Sequence, residues 1–324
     1  MNPIAWMAYN PTAGRYPSRL LAERAARVLR RNGWRVSLAQ TTSGEHLTQM
    51  ASQAAESGAD AFFVAGGDGS VNLALSGLVG TETALAVLPA GTSNVWAREQ
   101  GLPGLTWTRW LALEESARQL AHGRVQRVDV GMCCRRPFLL WSGVGLDGFI
   151  VHRIEPRKPW EKHFSVLQYA AAAAVHLPEW RGIHLQGEAD GEAIDGRFIM
   201  AVVSNIRLYA GGLAELSPQA QLDDGVMDLW LFAGDSPLDA ARHALDLWAG
   251  RHQHSDKARR KTCRRLRLHS EVCMYLQMDG EPVHVEHELS LEVVPRSLRV
   301  LVPETMPASR FLHPPEKVYG SRQV

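Results

Sequence analysis

The segment FFVAGGDGSVNLAL, residues 62–75, constrains the fold of this chain more than any other stretch. A short apolar run leads straight into Gly66, Gly67, Asp68, Gly69 and Ser70, and a second apolar-rich run with neither proline nor charge follows at once. This is a buried strand passing directly into a helix. A tight turn requires one or two glycines, so three around a single carboxylate imply that something approaches the bare backbone closely. Around this junction, short apolar runs alternate with amphipathic stretches through the first third of the chain, which predicts a parallel sheet with crossover helices. IAWMAY (4–9), RVSLAQ (35–40), AFFVA (61–65) and ALAVLP (84–89) read as strands. Residues 17–32, 45–57 and 70–80 read as helices, the first bracketed by Pro17 and Gly33.

Two further junctions share the design, YNPTAG (9–14) and PAGTSNVWARE (89–99). In an open parallel sheet such loops lie together at the carboxyl edge, where ligands bind. Glycine lets backbone amides close on phosphate oxygens, and each following helix presents its positive end to the same anion. Neither GxxxxGK[ST] nor GxGxxG occurs, so the chain is neither a P-loop protein nor a carrier of the dinucleotide fingerprint. A carboxylate in a phosphate-binding loop repels its ligand unless a cation or a proton intervenes, so Asp68 is expected to work through Mg2+. Ser70 and Thr92 can donate to phosphate oxygens or cap the helices behind them.

Beyond residue 123 the texture changes to closely spaced strands with turn residues between them, the pattern of an antiparallel sandwich or barrel. They are RVQRVDVGMC, PFLLWSGVG, IHLQGEA, RFIMAVVSN, VMDLWLF, LRLHSEVCMYLQMDG, LSLEVVP and LRVLVP, interrupted by helical inserts near 160–177 and 236–252. The expected organisation is an α/β nucleotide-binding domain over 1–123, a β-sandwich over 124–302, and a tail over 303–324 that packs back along the surface. With 324 residues the chain is long enough for two cores. A net charge of +1 excludes a global electrostatic partner, so no nucleic acid is expected and any attraction to an anionic surface must be local. The N-terminus shows no secretory signal and no run is long enough to span a bilayer, which points to the cytoplasm. Cys133, Cys134, Cys263 and Cys273 lack metal-ligand spacing and are expected to be reduced, packed thiols.

Two acidic spots stand out in the second half: QLDDGVMDL (221–229) and QMDGEPV (277–283). As bare sequence each is a polar hairpin turn, unless something brings it to the glycine loops. DKARRKTCRRLRLH (256–269) and HRIEPRKPWEKHF (152–164) are basic, and read either as a solvated face or as a dock for anionic lipid. Trp107 and Trp110 read as core residues or as interfacial anchors.

Taken in order, these motifs resemble the diacylglycerol kinase and sphingosine kinase family of lipid kinases. The matching residues are Asn10-Pro11 with Gly14, Gly66 to Ser70 with Asn72, and Pro89 with Gly91, Thr92, Asn94, Ala97 and Arg98; VDVG (128–131), GVGLDG (143–148), VVSN (202–205), SPQAQLDDG and MDGE (278–281) follow. The resemblance spans about residues 3–302. It implies an N-terminal domain of the phosphofructokinase and NAD-kinase type that binds ATP, a β-sandwich that closes over it, and a lipid acceptor at a membrane surface. It further implies Glu281 as proton acceptor, with Asp279 supporting it through water and Mg2+. Asn10, Pro11, Thr12, Ala13, Gly14, Thr41 (or Thr42), Gly66, Gly67, Asp68, Gly69, Ser70, Val71, Asn72 and Thr92 would hold ATP. A structural Mg2+ would sit on Asp224 and the carbonyls of Gln221 and Val226. A cytoplasmic enzyme in peripheral contact with anionic membrane follows, and a homodimer is compatible with it. Leu73 and Val95 depart from the carboxylates common at these positions, which keeps a weakened nucleotide- or lipid-binding sensor as an alternative beside an NAD kinase.

Overall fold

The computed structural model describes residues 2–11, 18–106, 108–154, 180–285 and 287–320. They form two compact units, 1–129 with 296–324, and 130–295. In the first, strands β1 (Ile4–Tyr9), β2 (Arg35–Gln40), β3 (Ala61–Gly66) and β4 (Ala84–Pro89) pair in parallel in the order β2-β1-β3-β4. β3 and β4 are buried at every position while β2 is largely exposed, as expected for central and edge strands of a sheet covered on both faces. Helices α1 (Ser18–Arg31), α2 (Gly44–Glu56) and α3 (Asp68–Leu78) connect them, and α4 (Val95–Glu99) and α5 (Ala112–Ala121) follow. α1 packs on α5, and α2 on α3. α1 buries Leu21, Ala22, Ala25, Ala26 and Leu29 on one face, carries Arg30 and Arg31 in its last turn, and stops before Gly33 at φ +88°. The sequence therefore marks these elements to within about two residues.

Strand β5 (Arg124–Cys133) leads into the second unit, which holds β6 (Arg136–Phe138), β7 (Trp141–Gly145), α6 (Leu146–Ile154), β8 (Ile183–Ala189), β9 (Glu192–Ser204) and a small ribbon of β10 (Leu208–Tyr209) and β11 (Ala214–Glu215). There follow β12 (Met227–Ala233), α7 (Pro237–Trp248), β13 (Ala258–Cys263), β14 (Arg265–His269), β15 (Met274–Met278), β16 (Glu281–Val285) and β17 (Glu288–Val302). β9 joins two antiparallel layers. Its first half pairs with β8, which continues through β14 to β17, and its second half lies between β7 and β12. Val144, Val203, Leu229 and Leu276 from one layer meet Leu266, Leu268, Leu289 and Leu291 from the other in one core. This is the β-sandwich that the strand spacing predicts.

The chain returns to the first unit at Arg296. There the end of β17 pairs in parallel with β4, and β18 (Lys317–Val318) pairs with β5. Tyr319 lies against Trp34, with ring centroids 4.6 Å apart.

Several sequence expectations are corrected. PFLLWSGVG is two strands, because the amides of Leu139, Leu140 and Trp141 turn to a side chain instead of a ladder. LSLEVVP and LRVLVP are one strand of 15 residues. Cys134 and Cys273 are exposed, and only Cys133 and Cys263 are packed. Cys134 occupies a positive-φ turn, so its sulfur lies beside that of Cys133 at 3.9 Å rather than across the strand. Trp110 is 48% exposed and is no core residue. Trp107, the helix expected near 160–177 and most of the basic stretch 152–164 lie outside the described residues. Among the described residues no helix is long and apolar enough to cross a membrane.

Candidate active site

The parallel strands of the first unit bring their following loops to one sheet edge. The chain runs from β1 outward to β2 and then back across β1 to β3, so the connections diverge between β1 and β3. Ligands bind at such a switch point. Asn10 and Pro11 leave β1 on one side of it, and Gly66 to Ser70 leave β3 on the other. Thr12, Ala13 and Gly14 lie outside the described residues.

What approaches the glycines first is another loop. A Cβ on Gly67 would sit 3.2 Å from Gly91 Cα, so the junctions after β3 and β4 are in direct backbone contact. Asn94 closes the second of these loops. It adopts a left-handed conformation (φ 49°, ψ 47°), accepts from the Gly91 amide at 2.9 Å and donates to the Gly91 carbonyl at 2.8 Å. Asp68 then ties the loops together. Its Oδ2 accepts from the Val95 amide at 3.0 Å and its Oδ1 from the Trp96 amide at 3.1 Å. Burial pushes the Asp68 carboxyl above its ordinary value, and those amides and the Arg98 charge pull it back. The carboxylate expected to work through Mg2+ is therefore also a cap on α4, a role fixed by a partner 27 residues away.

The hydroxyls of Ser70 and Thr92 are not helix caps. Gly67 and Asn94 hold those positions, Ser70 is half-buried and Thr92 is exposed. The Val71 side chain faces the core and only Asn72 beside it is half-buried. Thr41 is buried with its hydroxyl on the Tyr9 carbonyl at 3.3 Å, whereas Thr42 is exposed and paired with His46 Nδ1 at 2.9 Å. Leu73 rests at the start of α2, where a Cβ on Gly44 would meet its Cδ1 at 3.1 Å.

In the second unit Asp279 and Gly280 form the two-residue turn between β15 and β16, both at positive φ (50° and 84°), as a type I′ hairpin demands. The turn is held from three sides. Asp279, 6% exposed, accepts from the amides of Leu139 (2.9 Å), Leu140 (2.8 Å) and Trp141 (3.2 Å). Its own amide donates to the Trp141 carbonyl at 2.9 Å, and the Gly280 amide donates to Gln277 Oε1 at 2.9 Å. The next residue, Glu281, is exposed. A buried carboxylate satisfied by three amides is a clamp, and what it fixes in space is the exposed carboxylate two residues on.

Sequence reasoning missed the support behind this clamp. Gln277 Nε2 donates to Asp147 Oδ2 at 2.6 Å, and Tyr209 also bonds Asp147. Gly143 is what makes the room, since a Cβ there would collide with the Asp147 carboxylate. The two glycines ahead of the acid in GVGLDG carried that signal. Burial pushes the Asp147 carboxyl up to about 6. A group held above its unfolded-state value contributes stability that is complete below about pH 4 and lost as pH rises through about 6. Asp147→Asn still offers Gln277 an acceptor but cannot titrate. Its melting temperature is expected to fall less steeply than that of the wild type between pH 4 and 7, measured by thermal melts in a buffer series.

The second acidic turn is built differently. Val226 donates its amide to Asp224 Oδ1 at 3.1 Å, and a small cavity is lined by Gln221, Asp224, Val226 and Asp228 with Arg260. Asp223 and Asp228 are buried, and their charges add to burial in raising the Asp224 carboxyl. Arg260 pairs with Asp228 at 2.8 Å, yet Asp228 Oδ2 remains buried without a hydrogen bond. Among the described residues no group of three or more His, Cys, Asp or Glu side chains converges as a metal site.

Known proteins match this organisation. Residues 5–133 match the model of the diacylglycerol kinase catalytic domain, and residues 143–302 that of the YegS C-terminal NAD kinase beta sandwich-like domain. A diacylglycerol kinase of Bacillus subtilis is 26% identical over 282 residues, covering 86% of this chain and 89% of the relative. One from Mycobacterium tuberculosis is 28% identical over 306 residues, covering 91% and 93%. The crystal structure of a diacylglycerol kinase from Bacillus anthracis superposes with a TM-score of 0.69 at 18% identity, covering 94% of this chain and 98% of that one.

Proposed function

Because the chain belongs to the family that joins a diacylglycerol kinase catalytic domain to a YegS-type C-terminal domain, we propose that it transfers the γ-phosphoryl group of ATP to a hydroxyl group of a membrane lipid. The observation that carries this reading is the meeting of the loops after β1, β3 and β4 at one sheet edge, two of them in backbone contact. Such an edge offers backbone amides and helix N-termini to phosphates without a P-loop lysine. Phosphoryl transfer asks mainly for positioning and neutralisation of charge. In this reading Asn10 to Gly14, Gly66 to Asn72 and Thr92 hold the phosphates of MgATP, which brings its own cation. Of the two threonines after β2, the exposed Thr42 is better placed than Thr41 to reach a nucleotide. Glu281 takes the proton from the acceptor hydroxyl, whose oxygen attacks the γ-phosphorus as ADP leaves. Asp279 and Gln277 hold Glu281 in place.

The Asp224 turn fits a hard cation, because three acids face a single arginine and one buried oxygen lacks a donor. Asp224 and the carbonyls of Gln221 and Val226 would hold it, and its charge would rigidify the turn without entering the reaction.

A lipid acceptor places the enzyme at a membrane surface. Arg259, Arg264, Arg265 and Arg267 on β13, β14 and the turn between them are exposed, and each cation near anionic lipid adds about 1 kcal/mol. The test is purified protein with radiolabelled ATP, offered vesicles containing diacylglycerol, a sphingoid base or ceramide, and NAD in a parallel reaction. Label is expected on a lipid phosphate. Label on NAD, or ATP binding with no transfer to any lipid, would overturn the proposal.

A further inference from the structure

Helix α7 buries one apolar face and leaves a second in water. Ala240, His243 and Leu247 point inward. At about 100° per residue, Leu238, Ala241, Ala244, Leu245 and Trp248 fall on an adjoining arc of about 120°. Leu238, Leu245 and Trp248 are 83%, 60% and 77% exposed. Asp239, Arg242 and Asp246 take the remaining side, paired with Lys257, Asp256 and Arg251 respectively. One apolar stripe suffices to hold a surface helix on its protein. A second, with a tryptophan at its end, marks a docking surface.

The surroundings identify the occupant. Lys257, bound to Asp239 in the first turn of α7 at 2.5 Å, leads directly into β13. Beyond it stand the exposed Arg259, Arg264, Arg265 and Arg267, none of which forms an ion pair among the described residues. An apolar stripe beside unpaired arginines complements an anionic lipid surface, where leucine and tryptophan enter the acyl boundary and arginine meets phosphate. The stripe is also connected to the candidate site. β11 packs against α7, Leu213 just before it is 53% exposed, and Tyr209 on the paired strand β10 bonds Asp147 behind the Asp279 turn.

We propose that α7 is an interfacial anchor, with Leu238, Leu245 and Trp248 entering an anionic bilayer while the arginines of β13 and β14 lie on its headgroups. Its purpose, to seat the enzyme where its acceptor resides, rests on the lipid-kinase reading, but binding can be measured without turnover. Full-length protein and the variant Leu238→Gln/Leu245→Gln/Trp248→Gln are floated with phosphatidylcholine vesicles, with and without phosphatidylglycerol. Circular dichroism and melting temperature are expected to be unchanged, since all three side chains face water.

The wild type is expected to bind the anionic vesicles and the variant at least about tenfold more weakly. Turnover of vesicle-borne lipid should fall with binding, while turnover of a short-chain, water-soluble diacylglycerol is retained. Equal binding by the variant, or no vesicle binding by the wild type, would overturn the anchor. So would a variant that changes a dimer into a monomer at unchanged vesicle affinity, because the stripe would then face a second copy. Binding that is lost in the variant while even the wild type phosphorylates no lipid upholds the anchor and removes the kinase assignment instead.

Discussion

Replacing Glu281 by Gln is expected to lower phosphoryl transfer about 10² to 10⁴-fold, the usual contribution of a general base, while ATP binds as before. That loss corresponds to about 3–5 kcal/mol of transition-state stabilisation. The substitution keeps the size and shape of the side chain and the turn beneath it. Asp279 still receives the amides of residues 139–141, and Gly280 is still bonded to Gln277. Only the ability to take a proton is removed. The prediction is therefore a fall in kcat with KM for ATP and the melting temperature unchanged, read from steady-state kinetics, nucleotide titration and thermal melts. A variant within a few-fold of wild-type kcat would take Glu281 out of the mechanism. A variant that also lost ATP affinity would show that the side chain acts on nucleotide binding and not on the acceptor.

The elements of the first unit were legible because each strand and helix carries its own period, and the breaks between them carry glycine or proline. The hairpin at Asp279-Gly280 was legible for the same reason, since two positive-φ residues between strands select that dipeptide. What escaped the sequence were the partners. Asp68 looked like a ligand for a cation, yet both of its oxygens meet the amides of Val95 and Trp96 at the start of a helix that no local signal connects to it. Asp279 looked like a helper for Glu281 through water, and its observed partners are three amides some 140 residues upstream. Those same bonds divide a stretch that reads as one strand. A hydrophobic period reports which face of an element is buried, but not which backbone amides a distant carboxylate will satisfy. The exposed stripe of α7 escaped for a related reason. Its leucines and tryptophan carry a helical period that reads as core until the inward face proves to be Ala240, His243 and Leu247.

The same distinction between local and distant partners makes Gly91→Ala the sharpest test of the phosphate loops. A methyl group at Gly91 would lie 2.9 Å from Asn94 Oδ1 and 3.0 Å from Gly67 N, and closer still to Gly67 Cα. Two of those three atoms are backbone, so no rotamer relieves the clash and the loops after β3 and β4 must separate. Overpacking of this kind costs about 1–3 kcal/mol, and here the strain falls on the Asn94 bonds to Gly91 and the Asp68 bonds to α4. If the loops jointly cradle the phosphates, ATP affinity should fall by at least about tenfold, the equivalent of about 1.4 kcal/mol, with a drop in melting temperature. Gly104→Ala is the control, because its methyl would meet only Asn94 Nδ2, at an ordinary 3.9 Å. It is expected to bind ATP and melt as the wild type does. A Gly91→Ala protein that melts early but binds ATP normally would separate the loop contact from the nucleotide and make the glycines a packing device alone.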